Sequence, residues 1–166
     1  MITEKVISGG QTGADRAGLI AAKKCGIQTG GYIPKGFKTE LGSEPDLANE
    51  FGLVEFGITY PVRTLANVEQ ADATWIFYHG SLERGSKLTA KYCQQLDKSY
   101  ETIRIDSPGL VASLLVTDLV KWLEEVQPKV LNIAGNRESV CPGIQVFVTN
   151  ILTEVFIEIY NKQLNH

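Results

Sequence analysis

Apolar positions along this chain fall into short solid runs and helically spaced sets, and the two kinds alternate. Val6-Ile7 predicts the core of a buried strand over Lys5 to Gly10. Ala14 to Cys25 then predicts a helix, with Gly26 as its stop. The small residues Gly18, Ala21, Ala22 and Cys25 suit close packing of that helix on a sheet. Ile27 to Ile33 predicts a weaker strand ending in Pro34-Lys35-Gly36. From Phe37 to Pro61 the periodicity fades into charges and glycines, broken by one short helix over Asp46 to Phe51. So long an irregular stretch reads as a flap over a site.

The pattern resumes with a short helix over Leu65 to Ala71, with Thr64 as its cap. Ala73 to His79 is the clearest buried strand, and a helix over Lys87 to Leu96 follows it. Next come a strand over Thr102 to Asp106, a turn at Ser107-Pro108-Gly109 and a long helix from Leu110 to Val126. Val130 to Ala134 is the last strand, and Pro142 introduces a final helix from Ile144 to about Tyr160. Alternating strands and helices predict one α/β domain over residues 1–166: a mostly parallel sheet between two helical layers. Ligands of such sheets bind beyond the carboxyl ends of the strands. The loops after Ile7, Tyr78 and Ala134 are the polar ones, so those three strands are expected near the centre. Val146 and Ile157 widen the apolar face of the last helix, which predicts a homo-oligomer, dimer or tetramer.

Composition narrows the options. The 166 residues are 43% hydrophobic and 21% charged, ordinary for a globular domain. A net charge of −3 argues against nucleic-acid binding by phosphate neutralisation. No apolar run is long enough for a bilayer and no leader pattern opens the chain. Three widely spaced cysteines offer neither a zinc pattern nor a disulfide framework, so a cytoplasmic protein is expected.

The candidate chemistry gathers in the loops. Ser8-Gly9-Gly10-Gln11-Thr12-Gly13-Ala14-Asp15 joins strand to helix, an arrangement that aims N–H groups at an anion. It fits neither common nucleotide fingerprint: no Lys follows Gly13, and Ser8 stands where a first glycine would be. Gly9, Gly10, Gln11, Thr12, Gly13, Asp15 and Arg16 are candidates here. The second loop adds Ser81, Gly85, Ser86 and Thr89, with Arg84 beside them, and the third adds Asn136, Arg137, Glu138 and Ser139. Lys35, Arg63, Thr64 and Asn67 join from the flap side. Arginines offer forked bonds to tetrahedral oxyanions. Asp15, in the first turn of its helix, suits either the helix dipole or a ligand group carrying N–H or O–H donors. No nucleophile–base pair stands out, and no metal cluster is expected. His79 reads as hydrogen-bonded structure and Cys141 as an inert thiol. If the reading holds, Thr12, Ser86 and Arg137 surround one hollow.

Taken together, Ser8 to Arg16, Gly30-Gly31-Tyr32-Ile33-Pro34-Lys35-Gly36, Arg63-Thr64 with Asn67-Val68, Asp72-Ala73-Thr74, Leu131 to Ser139 and Pro142-Gly143-Ile144 resemble the molybdenum carrier family, the molybdenum cofactor carrier proteins. The likeness runs through nearly the whole chain. It implies a Rossmann-like domain, related to the lysine-decarboxylase-like group, that stores, protects or transfers molybdenum cofactor without turnover. The implied ligand is a small anionic pterin, molybdopterin, with molybdate or another oxyanion as a simpler guest. Molybdoenzymes and cofactor-synthesis proteins are the implied donors and acceptors. The chain departs from the pattern at Phe37, Arg84-Gly85-Ser86 and Asn136. The alternatives are a phosphoribohydrolase-like enzyme and a nucleotide sensor. Against the enzyme, Thr89 stands where its second glycine loop would carry a Glu.

Overall fold

A computed structural model of the chain describes residues 3–106 and 112–164. Six strands form one parallel sheet: β1 (Lys5–Ile7), β2 (Gln28–Ile33), β5 (Leu53–Glu55), β6 (Ala73–Tyr78), β7 (Ser99–Arg104) and β8 (Val130–Gly135). Their spatial order is β5-β2-β1-β8-β6-β7. The last strand is thus inserted between β1 and β6, and the three strands with polar loops are neighbours at the centre. A separate hairpin pairs β3 (Lys38–Thr39) with β4 (Gly42–Ser43).

The helices are α1 (Ala14–Lys24), α2 (Asp46–Phe51), α3 (Tyr60–Gln70), α4 (Arg84–Gln95), α5 (Ala112–Val126) and α6 (Ile144–Leu164). On one face α6 packs between α1 and α5, and α3 and α4 pack together on the other. The result is a three-layer α/β/α, Rossmann-like fold. The larger core joins Trp75, Phe77 and Leu131 of the sheet to Leu123 of α5 and to Leu152 and Phe156 of α6. Each fully buried side chain of this size contributes about 1.5–3 kcal/mol. A smaller cluster, Leu19, Ile33, Leu47, Phe51 and Leu53, seats α2 beside α1 at the β5 edge. Close approach of α1 depends on Gly18, where a Cβ would lie 2.6 Å from Ile133 Cβ. Val146 and Ile157 on α6 are exposed.

The stretch after Phe37 departs from the sequence reading. The predicted helix over Asp46–Phe51 is present as α2, but a hairpin and the edge strand β5 flank it in place of an irregular flap. Helix α3 also begins five residues before the predicted Leu65. Thr59 is its N-cap residue and Pro61 sits in its first turn, where a missing N–H costs nothing. Thr64 is therefore inside the helix and does not cap it. Helix α4 likewise starts at Arg84 rather than Lys87. The predicted turn at Ser107-Pro108-Gly109 and the predicted helix start at Leu110 lie outside the described residues. No described helix is long and apolar enough to cross a membrane.

Candidate functional site

Because β1, β8 and β6 run parallel, their following loops emerge on one side of the sheet. Asn136 ties the three together. Its N–H donates to the Phe77 carbonyl at 2.9 Å and its own carbonyl accepts from Ala14 N–H at 3.0 Å. Its Oδ1 accepts from His79 N–H at 2.8 Å. The first loop is pressed so close that a Cβ on Gly13 would lie 2.3 Å from the Asn136 carbonyl oxygen, and Gly13 has φ +81°. That position requires glycine.

Between these loops and the start of α3 lies a cleft of about 630 Å³. This volume suits a small organic ligand. Ten predicted site residues line it: Gln11, Asp15, Arg63, Thr64, Ser81, Gly85, Ser86, Thr89, Asn136 and Arg137. So do Tyr60, Pro61, His79, Glu83, Arg84, Leu88, Ala134, Gly135 and Val140. Tyr60 was hidden by the late helix start read from the sequence. Thr59 followed by Pro61 was the available signal, and it would have put Tyr60 and Arg63 on one face of the first turn.

At the base of the cleft the Arg63 guanidinium lies against Gly9. A Cβ there would fall 1.9 Å from Nη1, so Gly9 makes the room that Arg63 fills. Nη1 is 3.5 Å from Asp15 Oδ2. The guanidinium carbon is 5.5 Å from the centre of the Tyr60 ring, a cation–π distance. Nε is buried and has no partner among the described residues. Arg63, which lines the cleft, therefore keeps an unspent donor. Burial pushes the Asp15 carboxyl above its ordinary value, while Arg63, the Gln11 and Gly9 backbone and Arg16 pull the other way. The carboxylate thus occupies the turn of its own glycine loop and positions Arg63.

On the wall formed by α4, Ser86 and Thr89 are buried, and Thr89 Oγ1 donates to the Gly85 carbonyl at 2.9 Å. Arg84 begins that helix with φ +46°, a left-handed conformation strained for a side-chain-bearing residue. His79 Nδ1 lies 2.6 Å from the Ile105 carbonyl. A carbonyl can only accept, so the proton sits on Nδ1 and Nε2 is the acceptor of the neutral ring. Among the described residues no three His, Cys, Asp or Glu side chains form a metal cluster.

Nine predicted site residues do not line the cleft. Gly9 lies beneath Arg63, as above. Gly10 faces the core, where its Cβ would meet Leu53 Cδ1 at 2.5 Å, so its small size serves packing rather than ligand approach. Gly13 N–H donates to Gln145 Oε1 at 3.0 Å, and Thr12 N–H to Gln11 Oε1 at 3.1 Å. With Ala14 N–H on Asn136, these N–H groups at the start of α1 are already satisfied within the protein. Arg16 makes forked bonds to both Glu44 oxygens at 3.2 and 2.9 Å. Asn67 straps β2, donating to the Tyr32 carbonyl at 2.9 Å and accepting its N–H at 2.8 Å. Glu138 accepts the Gly143 and Gln145 N–H groups at the start of α6. Lys35 is exposed and its backbone N–H donates to the Gly57 carbonyl at 2.8 Å.

Thr12 and Ser139 both bond the Glu40 carboxylate. Ser86 and Arg137 thus share one hollow, and Thr12 does not line it. Three of these departures share one reason: the donors of Thr12, Arg16 and Ser139 are spent on the protein's own carboxylates.

The circularly permutated YpsA SLOG family matches residues 6–156 of the chain. A crystal structure of a protein from Syntrophus aciditrophicus SB, named "putative molybdenum carrier protein", is 38% identical in sequence. The match covers 94% of this chain and 96% of that one, with a TM-score of 0.82. No curated protein matches the chain.

Proposed function

The chain belongs to the circularly permutated YpsA SLOG family, and from that starting point we propose that it is a carrier of molybdenum cofactor, held in the cleft between α3 and the three loops. The observation that carries the reading is Arg63. It is a guanidinium held by Asp15, laid on Gly9 and lining a cleft of ligand size, with a buried Nε donor that no described residue uses. The name of the related crystal structure supports the choice of cargo.

In this reading the anionic end of the guest lies between Arg63 and the Ser81–Ser86 turn. Ser86 contributes its hydroxyl there, Thr89 braces the turn through its bond to the Gly85 carbonyl, and Arg84 contributes charge. The pterin ring packs against Tyr60, Pro61 and Leu88. Asp15 acts through Arg63 rather than on the pterin edge. The molybdenum centre is held through its oxygen atoms by hydrogen-bond donors. The protein binds, orients and shields the cargo, and it hands it on unchanged.

Equilibrium dialysis of the protein against released cofactor, and separately against molybdate, tests the proposal. Retention of cofactor, lost in Arg63→Ala, is the expected result. Retention of neither by the folded wild-type protein contradicts it.

A further inference from the structure

The hairpin formed by β3 and β4 is held to the body by charge. At its tip, the Glu40 carboxylate accepts from the Thr12 hydroxyl, the Ser139 hydroxyl and the Ser139 N–H, the last at 3.2 Å. Arg137 Nε lies 3.5 Å from Glu40 Oε2. At its base, Glu44 takes the forked bonds of Arg16. Apolar anchoring is sparse: Leu41 at the tip is 71% exposed.

Four donors from two loops that converge on one carboxylate form the kind of nest that binds oxyanions. The only unusual feature is the identity of the anion, which comes from the chain itself. This nest also adjoins the cleft. Gln11 and Arg137 line the cleft, and Gln11 Oε1 accepts the Glu40 N–H at 2.9 Å.

We infer that Thr12, Ser139 and Arg137 form a second oxyanion subsite, masked by Glu40 as an internal plug. A carboxylate is a two-oxygen stand-in for part of a phosphate or molybdate. An incoming oxyanion displaces Glu40 from the same donors, the hairpin swings out, and the cleft extends along the first and third loops. This inference rests on the carrier reading only in taking the guest to be an oxyanion; the subsite is separate from Arg63.

The test is calorimetric titration with molybdate, and in parallel with inorganic phosphate, on the wild type, Glu40→Ala, Glu40→Gln and Arg63→Ala. Removing the plug is expected to tighten oxyanion binding roughly tenfold or more, since charge-assisted bonds of this kind are worth that much. Glu40→Gln, which keeps the shape but not the charge, is expected to give part of the gain. It also covers the case in which Glu40→Ala does not fold. Adding Ser139→Ala to the unplugged variant removes one of the four donors and should reduce the gain. Adding Arg63→Ala should leave it intact.

A folded Glu40 variant with no gain for either anion overturns the inference. So does a gain that Ser139→Ala leaves undiminished. Failure of the carrier reading shows separately, as Arg63→Ala and the wild type binding molybdopterin equally well.

Discussion

Arg63 Nη1 lies 3.5 Å from Asp15 Oδ2, and both side chains are almost wholly removed from water. Each charge is tolerable because of the other. The carboxyl is held above its ordinary 3.8 by burial, so the folded state binds this proton more tightly than the unfolded chain does. Stability from the protonated form is full below 3.8 and declines as pH rises through the folded value. Arg63 limits that decline. Arg63→Ala is therefore expected to lose stability over a wider pH range above 3.8 than the wild type, and Asp15→Asn to remove this dependence. Urea midpoints measured across pH check it; parallel curves for all three proteins would refute it.

The glycines of the first loop separate into two kinds. Gly9→Ala places a methyl on the end of a movable side chain, Arg63. We expect the protein to fold and to bind ligand about as weakly as Arg63→Ala. Gly13→Ala drives a methyl into the Asn136 backbone at φ +81°. There the expected loss is in stability, about 1–3 kcal/mol or more. Denaturation and ligand titration of both variants separate the two effects, and matching losses in both would contradict the assignment.

Much of the fold was legible because its signals are local. Ala73 to Tyr78 is a solid apolar run, and the Gly-rich turn before Ala14 marks strand, turn and helix. The edge strand β5 was not legible, since Leu53-Val54-Glu55 is too short to show a period. Pro61 read as the end of a loop although it opens a helix. In the site, the sequence located the donor-rich loops but could not say which donors were already used. Whether Thr12 faces a ligand or Glu40 depends on a contact 28 residues away, and Ser139 meets Glu40 across 99. Pairings of that range follow from the fold and leave no local pattern.

Glu40 and Glu44 titrate in the opposite sense to Asp15. Burial raises Glu40, but its bonds from Ser139 and Thr12 outweigh burial and bring it below the ordinary 4.5; the Arg16 bond leads the same downward shift at Glu44. Groups lowered in this way stabilise the fold above 4.5, and their contribution is lost as pH falls through the folded values. The hairpin should therefore detach on acidification before the sheet unfolds. Hydrogen exchange at the Glu40 and Ser139 amides, which bond across to Gln11 and to Glu40, is expected to rise below 4.5 relative to the amides of β8, after correction for intrinsic rates. Unchanged relative protection would rule this out.

Arg84 holds φ +46° at the start of α4. Glycine adopts that conformation without penalty, so Arg84→Gly is expected to stabilise the protein by about 1 kcal/mol. The same change removes a cation from the cleft wall and should weaken binding of molybdopterin. Thermal unfolding with a parallel ligand titration checks both signs. Destabilisation with unaltered affinity would show that Arg84 serves the fold and not the guest.

The most direct measurement is the affinity of purified, folded wild-type and Arg63→Ala protein for released molybdenum cofactor, taken side by side by equilibrium dialysis. The wild type should retain the cofactor, and the variant should bind it more weakly by about 1.5–3 kcal/mol, roughly tenfold or more. Equal retention by the two proteins, or none by either, would contradict a cargo site built on Arg63.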